Sequence, residues 1–301
     1  MLGQRSLLLD LGNTKLKYAW LTLLPEQSSA QEVLKSLQVK AIAYDDHTLA
    51  QIVHDNIGQL LAAHLKEGGV EVLNKEAIEG KVLVYLCSVQ DDEKTQLVTN
   101  SIKQLGFEVH VARSQKQQCG LHNSYAVVAN MGSDRWLAMI AADTLFSYIN
   151  KMAENDARNA AQGIIIVDAG TAITCDLLLD KNHLGGWIAP GLGLLREAIT
   201  SRAKRVFDFE DKDNENNVAR LALGNDTPAC VANGAFAQLC GMVVQASRIM
   251  RAHTEHYCIV ISGGDSDLLA PIISEQVVVP VYQHSNLVLA GLARLSFENE
   301  N

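Results

Sequence analysis

The sequence predicts a mixed α/β chain made of two related lobes, and two observations carry that prediction. Short apolar runs alternate with longer helix-compatible stretches, the pattern of an α/β architecture. The stretch LLLDLGNTKLKYAWL beginning at Leu7 is also echoed by IIIVDAGTAITCDLL beginning at Ile164. Each copy runs apolar strand, Asp-x-Gly, polar turn and second strand-like segment. Asp10 and Asp168 stand about one domain length apart, so each lobe is expected to open with a β-hairpin.

Taken in order, residues 7–9, 82–86, 164–167 and 259–261 are apolar runs of strand length. Each gives way to a small or polar turn: DLGNT, CSVQDD, DAGT and SGGD. A buried strand delivers such a turn to the sheet edge, where function collects. Residues 30–69 are polar and helix-compatible. Residues 151–162 (KMAENDARNAAQ) read as a helix end leading into the second hairpin, and 208–217 (DFEDKDNENN) as a solvated loop.

Composition narrows the partners. The 301 residues carry 25 Lys and Arg against 34 Asp and Glu, a formal charge of -9. General attraction to nucleic acid or anionic lipid is not expected from such a chain, and an anionic substrate needs a local positive site. Cys87, Cys119, Cys175, Cys230, Cys240 and Cys258 form no CxxC pair, which fits thiols in a reducing compartment. The apolar run at residues 6–9 is too short for a signal peptide or a spanning helix. The expectation is a cytoplasmic protein without a membrane or nucleic-acid partner.

Several motifs can carry chemistry. In Asp10-Leu11-Gly12-Asn13-Thr14 the acid can hold a metal-bound water, and Gly12 lets backbone approach a phosphate without a Cβ in the way. Asn13, Thr14 and Lys17 offer polar or cationic contacts. Asp168-Ala169-Gly170-Thr171-Ala172 repeats this logic, and a cleft between lobes would turn both carboxylates toward one nucleotide. A plain hairpin turn explains either motif alone; two copies at lobe spacing favour a nucleotide site. Neither GxxxxGK[ST] nor a strand-linked GxGxxG is present.

Tyr125 precedes Gly132-Ser133-Asp134-Arg135-Trp136, which opens the helix-compatible run LAMIAADTLFSYI. An Asp at a helix mouth can be a simple N-cap. With Arg135 beside it to pair a substrate carboxylate, Asp134 can instead accept a hydroxyl proton, a combination suited to an acid-bearing alcohol. GGWIAPG at 185–191 is too rich in glycine and proline for the interior of an element and is expected to be a tight connection, or equally a direct ligand contact whose backbone approaches the nucleotide. SGGD at 262–265 is a candidate wall for base or ribose. His122, His183, His253 and His256 show no metal-ligand pattern and read as surface or satisfied-core histidines. The basic stretch 201–205 reads as a solvated helix end.

The ordered set DLGNT with Lys17, GL-x-N-x-Y, G-x-DR-W, DAGTAIT, GGWIAPGLGLL and SGGD resembles type III pantothenate kinases from the first strand nearly to the C-terminus. The resemblance implies an actin-like (ribonuclease H-like) duplicated fold with the nucleotide cleft between lobes. It also implies transfer of the ATP γ-phosphate to pantothenate, the first step of coenzyme A synthesis, by a homodimer. An N-terminal lobe (1–117) would hold the phosphate loop, and a C-terminal lobe (118–301) the substrate and cation sites. By motif position, Asp134 would be the general base, with Tyr125, Gly132, Ser133, Arg135 and Thr227 around pantothenate. Asp10, Leu11, Gly12, Asn13, Thr14, Lys15, Leu16, Lys17 and Thr171 would contact ATP. Asp10 would hold Mg2+ through water, and Asp168 a monovalent cation, K+ or NH4+. Proline is commonly found between the Tyr125 and Gly132 positions; here AVVANM fills the gap. The competing readings are a non-catalytic transcriptional regulator on the same scaffold, and another actin-fold sugar kinase or phosphatase.

Overall fold

A computed structural model describes residues 5–22, 37–44, 49–52, 55, 57–59, 82–152, 163–203, 206 and 221–299. Residues 153–162 and 208–217, with most of 30–69, lie outside these, as do Lys204 and Arg205 of the basic stretch. Contacts divide the chain into two compact units. Unit 1 comprises Met1–Cys119, Ala126–Tyr148 and Leu287–Asn301, and unit 2 comprises Gly120–Tyr125 and Ile149–Asn286.

In unit 1 the strands are β1 (Arg5–Leu11), β2 (Lys15–Thr22), β3 (Lys40–Ala43), β4 (Val82–Ser88) and, after helix α1 (Asp92–Gln104), β5 (Glu108–Val111). They form one sheet in the order β3-β2-β1-β4-β5. Side chains alternate across a strand, so Leu7, Leu9 and Leu11 share a face with Leu16 and Tyr18 and build a core with Val98 and Ile102 of α1. Each such side chain, fully buried, contributes about 1.5–3 kcal/mol. Asp10 falls on the opposite face by the same alternation.

Short strands β6 (Gln117–Gln118) and β7 (Leu121–His122) precede helix α2 (Ser133–Met152). β8 (Gly163–Ala169), β9 (Ala172–Leu179) and β10 (Asn182–Pro190) follow, then helices α3 (Leu192–Arg202) and α4 (Thr227–Arg251), β11 (Tyr257–Ser262), α5 (Ser266–Gln276), β12 (Val281–Gln283) and α6 (Leu287–Asn299). The second sheet runs β12-β11-β8-β9-β10-β7-β6. Both echoed segments are antiparallel hairpins, β1/β2 and β8/β9, with Asp10 opposite Lys17 and Asp168 opposite Thr174.

One expectation is corrected. GGWIAPG is not a connection: residues 185–190 are the body of β10, paired along their length with β9. Two local features let this composition sit in a strand. Gly185, at φ +140, lies at a register shift between His183 and Gly185, and Pro190 is the last residue, where its missing N–H costs no ladder bond.

Asp226 caps α4, its side chain accepting from the Ala229 amide at 2.8 Å, with Pro228 in the first turn. Ala232, Ala235, Phe236, Leu239, Val243 and Met250 form its buried stripe in the core of unit 2. By length and composition alone α4 could cross a membrane; its apolar stripe is instead spent on the second sheet.

β8 and β11 run parallel, and their carboxyl ends meet closely. Gly263 has φ +95, and a Cβ there would lie 2.7 Å from the Ala169 nitrogen. Gly263→Ala is expected to lower stability by more than about 1 kcal/mol, because both the backbone conformation and the contact reject a side chain. Gly264→Ala, with open space around it, should leave the thermal midpoint unchanged. Equal melting of the two variants would contradict this packing.

Candidate active site

In unit 1 the chemistry collects at the carboxyl ends of the parallel strands β1 and β4, where open α/β sheets bind ligands. The β1/β2 turn closes through the Gly12 amide, which donates to the Lys15 carbonyl at 3.1 Å. The Gly12 carbonyl is turned into the protein, where the Tyr44 hydroxyl and the Gln90 side-chain amide (2.9 Å) both donate to it. Gln90 also donates to Asn13 Oδ1 at 3.1 Å. In a trans peptide the following N–H points the other way, so fixing this carbonyl aims the Asn13 amide outward. Asn13, Thr14 and Lys15 are exposed and Lys17 is half-buried, whereas Leu11 and Leu16 are core side chains that can offer a ligand only backbone.

Asp10 is 9% exposed, with Lys17 opposite it on β2 and Cys87 beside it on β4, all on one face of the sheet. The start of α2 comes to the same place. Ser133 Oγ lies 3.5 Å from Cys87 Sγ and 3.4 Å from the Ser88 carbonyl, to which it donates. The Cys87 thiol is pushed well above its ordinary value, first by burial, then by the negative charges of Asp10 and Asp134. A neutral thiol thus stands among carboxylates from β1 and α2.

Asp134 lies in the first turn of α2 and is half-buried, its Oδ1 accepting the Arg135 amide at 2.7 Å. A Cβ at residue 132 would strike that oxygen, so a side chain there would displace the acid. Ser114 Oγ donates to the Met131 carbonyl at 3.0 Å and holds the turn. Arg135 is 5% exposed, and the buried Trp136 indole donates to Gln118 Oε1 at 2.9 Å. Together these contacts hold the start of the helix that carries Asp134 and Arg135, whose amide-rich end favours negative charge.

In unit 2 the second hairpin has its own supports. Gly170 N–H donates to the Ala172 carbonyl (3.1 Å), Gly191 N–H to the Thr171 carbonyl (2.9 Å), and Asp265 N–H to the Ala169 carbonyl (3.0 Å). Asp168 is in register with Ser262. The DAGT turn, the PG at the end of β10 and the SGGD loop are therefore one constellation. Burial raises the Asp265 carboxyl, and Thr171 is exposed. Tyr125 and Thr227 also belong to unit 2, Thr227 at the start of α4.

Sequence reasoning gave no role to Gln90, Tyr44, Ser114 or Cys87. Gln90 lies in the polar turn after β4, CSVQDD, which was the available signal. Of the histidines read as surface or satisfied-core, His183 is of the second kind: it is 3% exposed and bonded through both ring nitrogens.

No group of three or more His, Cys, Asp or Glu able to hold a metal occurs among the described residues. The oxygen donors fit cations that take most of their ligands from water and phosphate, as Mg2+ does in kinase sites. A cavity lined by Val244, Ser247, Arg248, Arg251 and Tyr257 touches the start of β11, the end opposite Ser262.

The family model of type III pantothenate kinases matches residues 6–248. A type III pantothenate kinase of Pseudoalteromonas atlantica is 32% identical over 74% of this chain and 82% of its own length. One of Idiomarina loihiensis is 29% identical over 98% of this chain and 99% of its own. The structure is similar to glucokinase from Parabacteroides distasonis, with TM-score 0.50 and 13% identity over 99% of this chain and 98% of the other. That likeness shows the fold, the actin-like architecture of sugar kinases. Matched over most of its length, the chain belongs to the type III pantothenate kinase family.

Proposed function

We propose that the residues described above carry out ATP-dependent phosphorylation of pantothenate to 4'-phosphopantothenate, the first step of coenzyme A biosynthesis. The single observation supporting this assignment most strongly is the placement of Asp134 and the buried Arg135 at the start of α2, beside the end of β4. Asp134 accepts the proton of the pantothenate hydroxyl as that oxygen attacks the γ-phosphorus and the bond to the ADP oxygen breaks. Arg135 pairs the pantothenate carboxylate, and Tyr125, Gly132, Ser133 and Thr227 surround the rest of the molecule.

Residues 10–17 receive the ATP phosphates. The outward Asn13 amide, Thr14, Lys15 and Lys17 supply donors, Leu11, Gly12 and Leu16 supply backbone, and Thr171 adds a contact from the second hairpin. Asp10 holds Mg2+ through water, and Asp168 holds K+ or NH4+. Held by these residues, the ions would supply positive charge against the ATP phosphates, which a chain of net charge -9 otherwise repels. The enzyme acts in the cytoplasm as a homodimer, without nucleic-acid or membrane partners.

A substrate panel with ATP, Mg2+ and K+ tests this reading. Pantothenate is expected to be phosphorylated while glucose stays inert and polyphosphate is not hydrolysed. Turnover of sugar or polyphosphate with pantothenate inert would overturn it.

A further inference from the structure

The mechanism makes no use of a buried polar chain in unit 2. Asp176, on β9, is 1% exposed, and its neighbours Ile173, Cys175 and Leu177 point into the core while it faces the other way. Its register partner on β8 is Ile166, so the carboxylate has an apolar neighbour on that side. Its Oδ1 meets His183 Nε2 at 3.1 Å, and His183 Nδ1 meets Ser124 Oγ at 2.9 Å. The imidazole is thereby held at both nitrogens. Its ring lies against that of Tyr125, with centroids 6.0 Å apart and planes 28° from parallel. The Tyr125 backbone is fixed as well, its amide donating to Oδ1 of the buried Asn123 at 2.9 Å.

Burying a carboxylate and an imidazole for packing alone is costly, since apolar side chains of similar volume commonly do as well or better. What the polar chain adds is direction. A ring bonded at two edges cannot rotate, whereas an apolar ring could turn about its χ2. The register shift between His183 and Gly185 re-aims the strand at this residue. The chain ends on Tyr125, the tyrosine assigned above to the pantothenate site.

We propose that His183, oriented by Asp176 and Ser124, is a positioning residue for pantothenate, holding the Tyr125 ring in its binding orientation. This rests on the assignment of Tyr125 to the pantothenate site. An aromatic pair of this kind corresponds to about a 2- to 12-fold change in binding. The effect should appear in the KM for pantothenate, because His183 acts on a binding contact and not on proton transfer or on ATP.

The test is steady-state kinetics of the full chain. His183→Ala leaves Asp176 without its imidazole partner and is at risk of misfolding. The informative variants are therefore the double substitution Asp176→Ala with His183→Ala, which removes both partners of the buried contact, and Ser124→Ala at an exposed position. The double variant is expected to raise the pantothenate KM about 2- to 12-fold with kcat and the ATP KM unchanged. Ser124→Ala should shift it less in the same direction. Tyr125→Ala should raise it too, and adding Tyr125→Ala to the double variant should cost less than the sum of the two effects. If Tyr125→Ala raises the pantothenate KM and the double variant does not, the network is packing only and the proposal fails alone. If Tyr125→Ala leaves it unchanged, the placement of Tyr125 at the substrate fails and takes the proposal with it. A fall in kcat together with a rise in the ATP KM would mean general damage and also overturns it.

Discussion

Asp134→Asn is expected to lower kcat about 100- to 10,000-fold while ATP still binds, because the substitution removes a proton acceptor and little else. That loss corresponds to about 2.7–5.4 kcal/mol of transition-state stabilisation. The amide keeps the shape of the carboxylate and an oxygen to accept the Arg135 N–H, a contact of 2.7 Å in the native protein. The turn held by Ser114 and the core position of Trp136 should survive. kcat and kcat/KM are expected to fall together, the pattern of an interaction made in the transition state. Turnover close to native, with the variant folded, would remove Asp134 from the role of base.

Asp168→Ala should act on the nucleotide and not on the hydroxyl. Its carboxylate closes β8 beside Ser262, next to the backbone contacts that join the DAGT turn to Gly191 and Asp265. If it holds a monovalent cation against the ATP phosphates, its loss removes a charge-assisted contact worth about 1.5–3 kcal/mol. The ATP KM is then expected to rise about 10- to 100-fold, and rate enhancement by K+ should disappear. An unchanged response to K+ would reject the cation assignment whatever happens to the rate.

Much of this arrangement was legible in sequence because local patterns encode it. Apolar runs at Leu7 and Ile164, each broken by Asp-x-Gly, specify a strand and a turn within a dozen residues, and both are hairpins. Asp134 ahead of LAMIAADTLFSYI marked a helix start, and α2 begins there. β10 was hidden because composition argued against a strand, while a register shift and a terminal proline make it possible. Contacts between distant residues leave no local trace. Tyr44 and Gln90, far apart in sequence, converge on the Gly12 carbonyl. α6, at the far end of the chain, returns to lie against β1 and β4. His183 looked inert because its partners, Asp176 and Ser124, have neither the spacing nor the residue types of a metal site.

The most direct measurement is product formation by the purified chain with ATP, Mg2+ and K+, with pantothenate present or absent and phosphopantothenate identified by mass. The account predicts one phosphopantothenate for each ADP released, and no ADP without pantothenate. ADP release that ignores pantothenate, or no phosphopantothenate from folded protein, would contradict it.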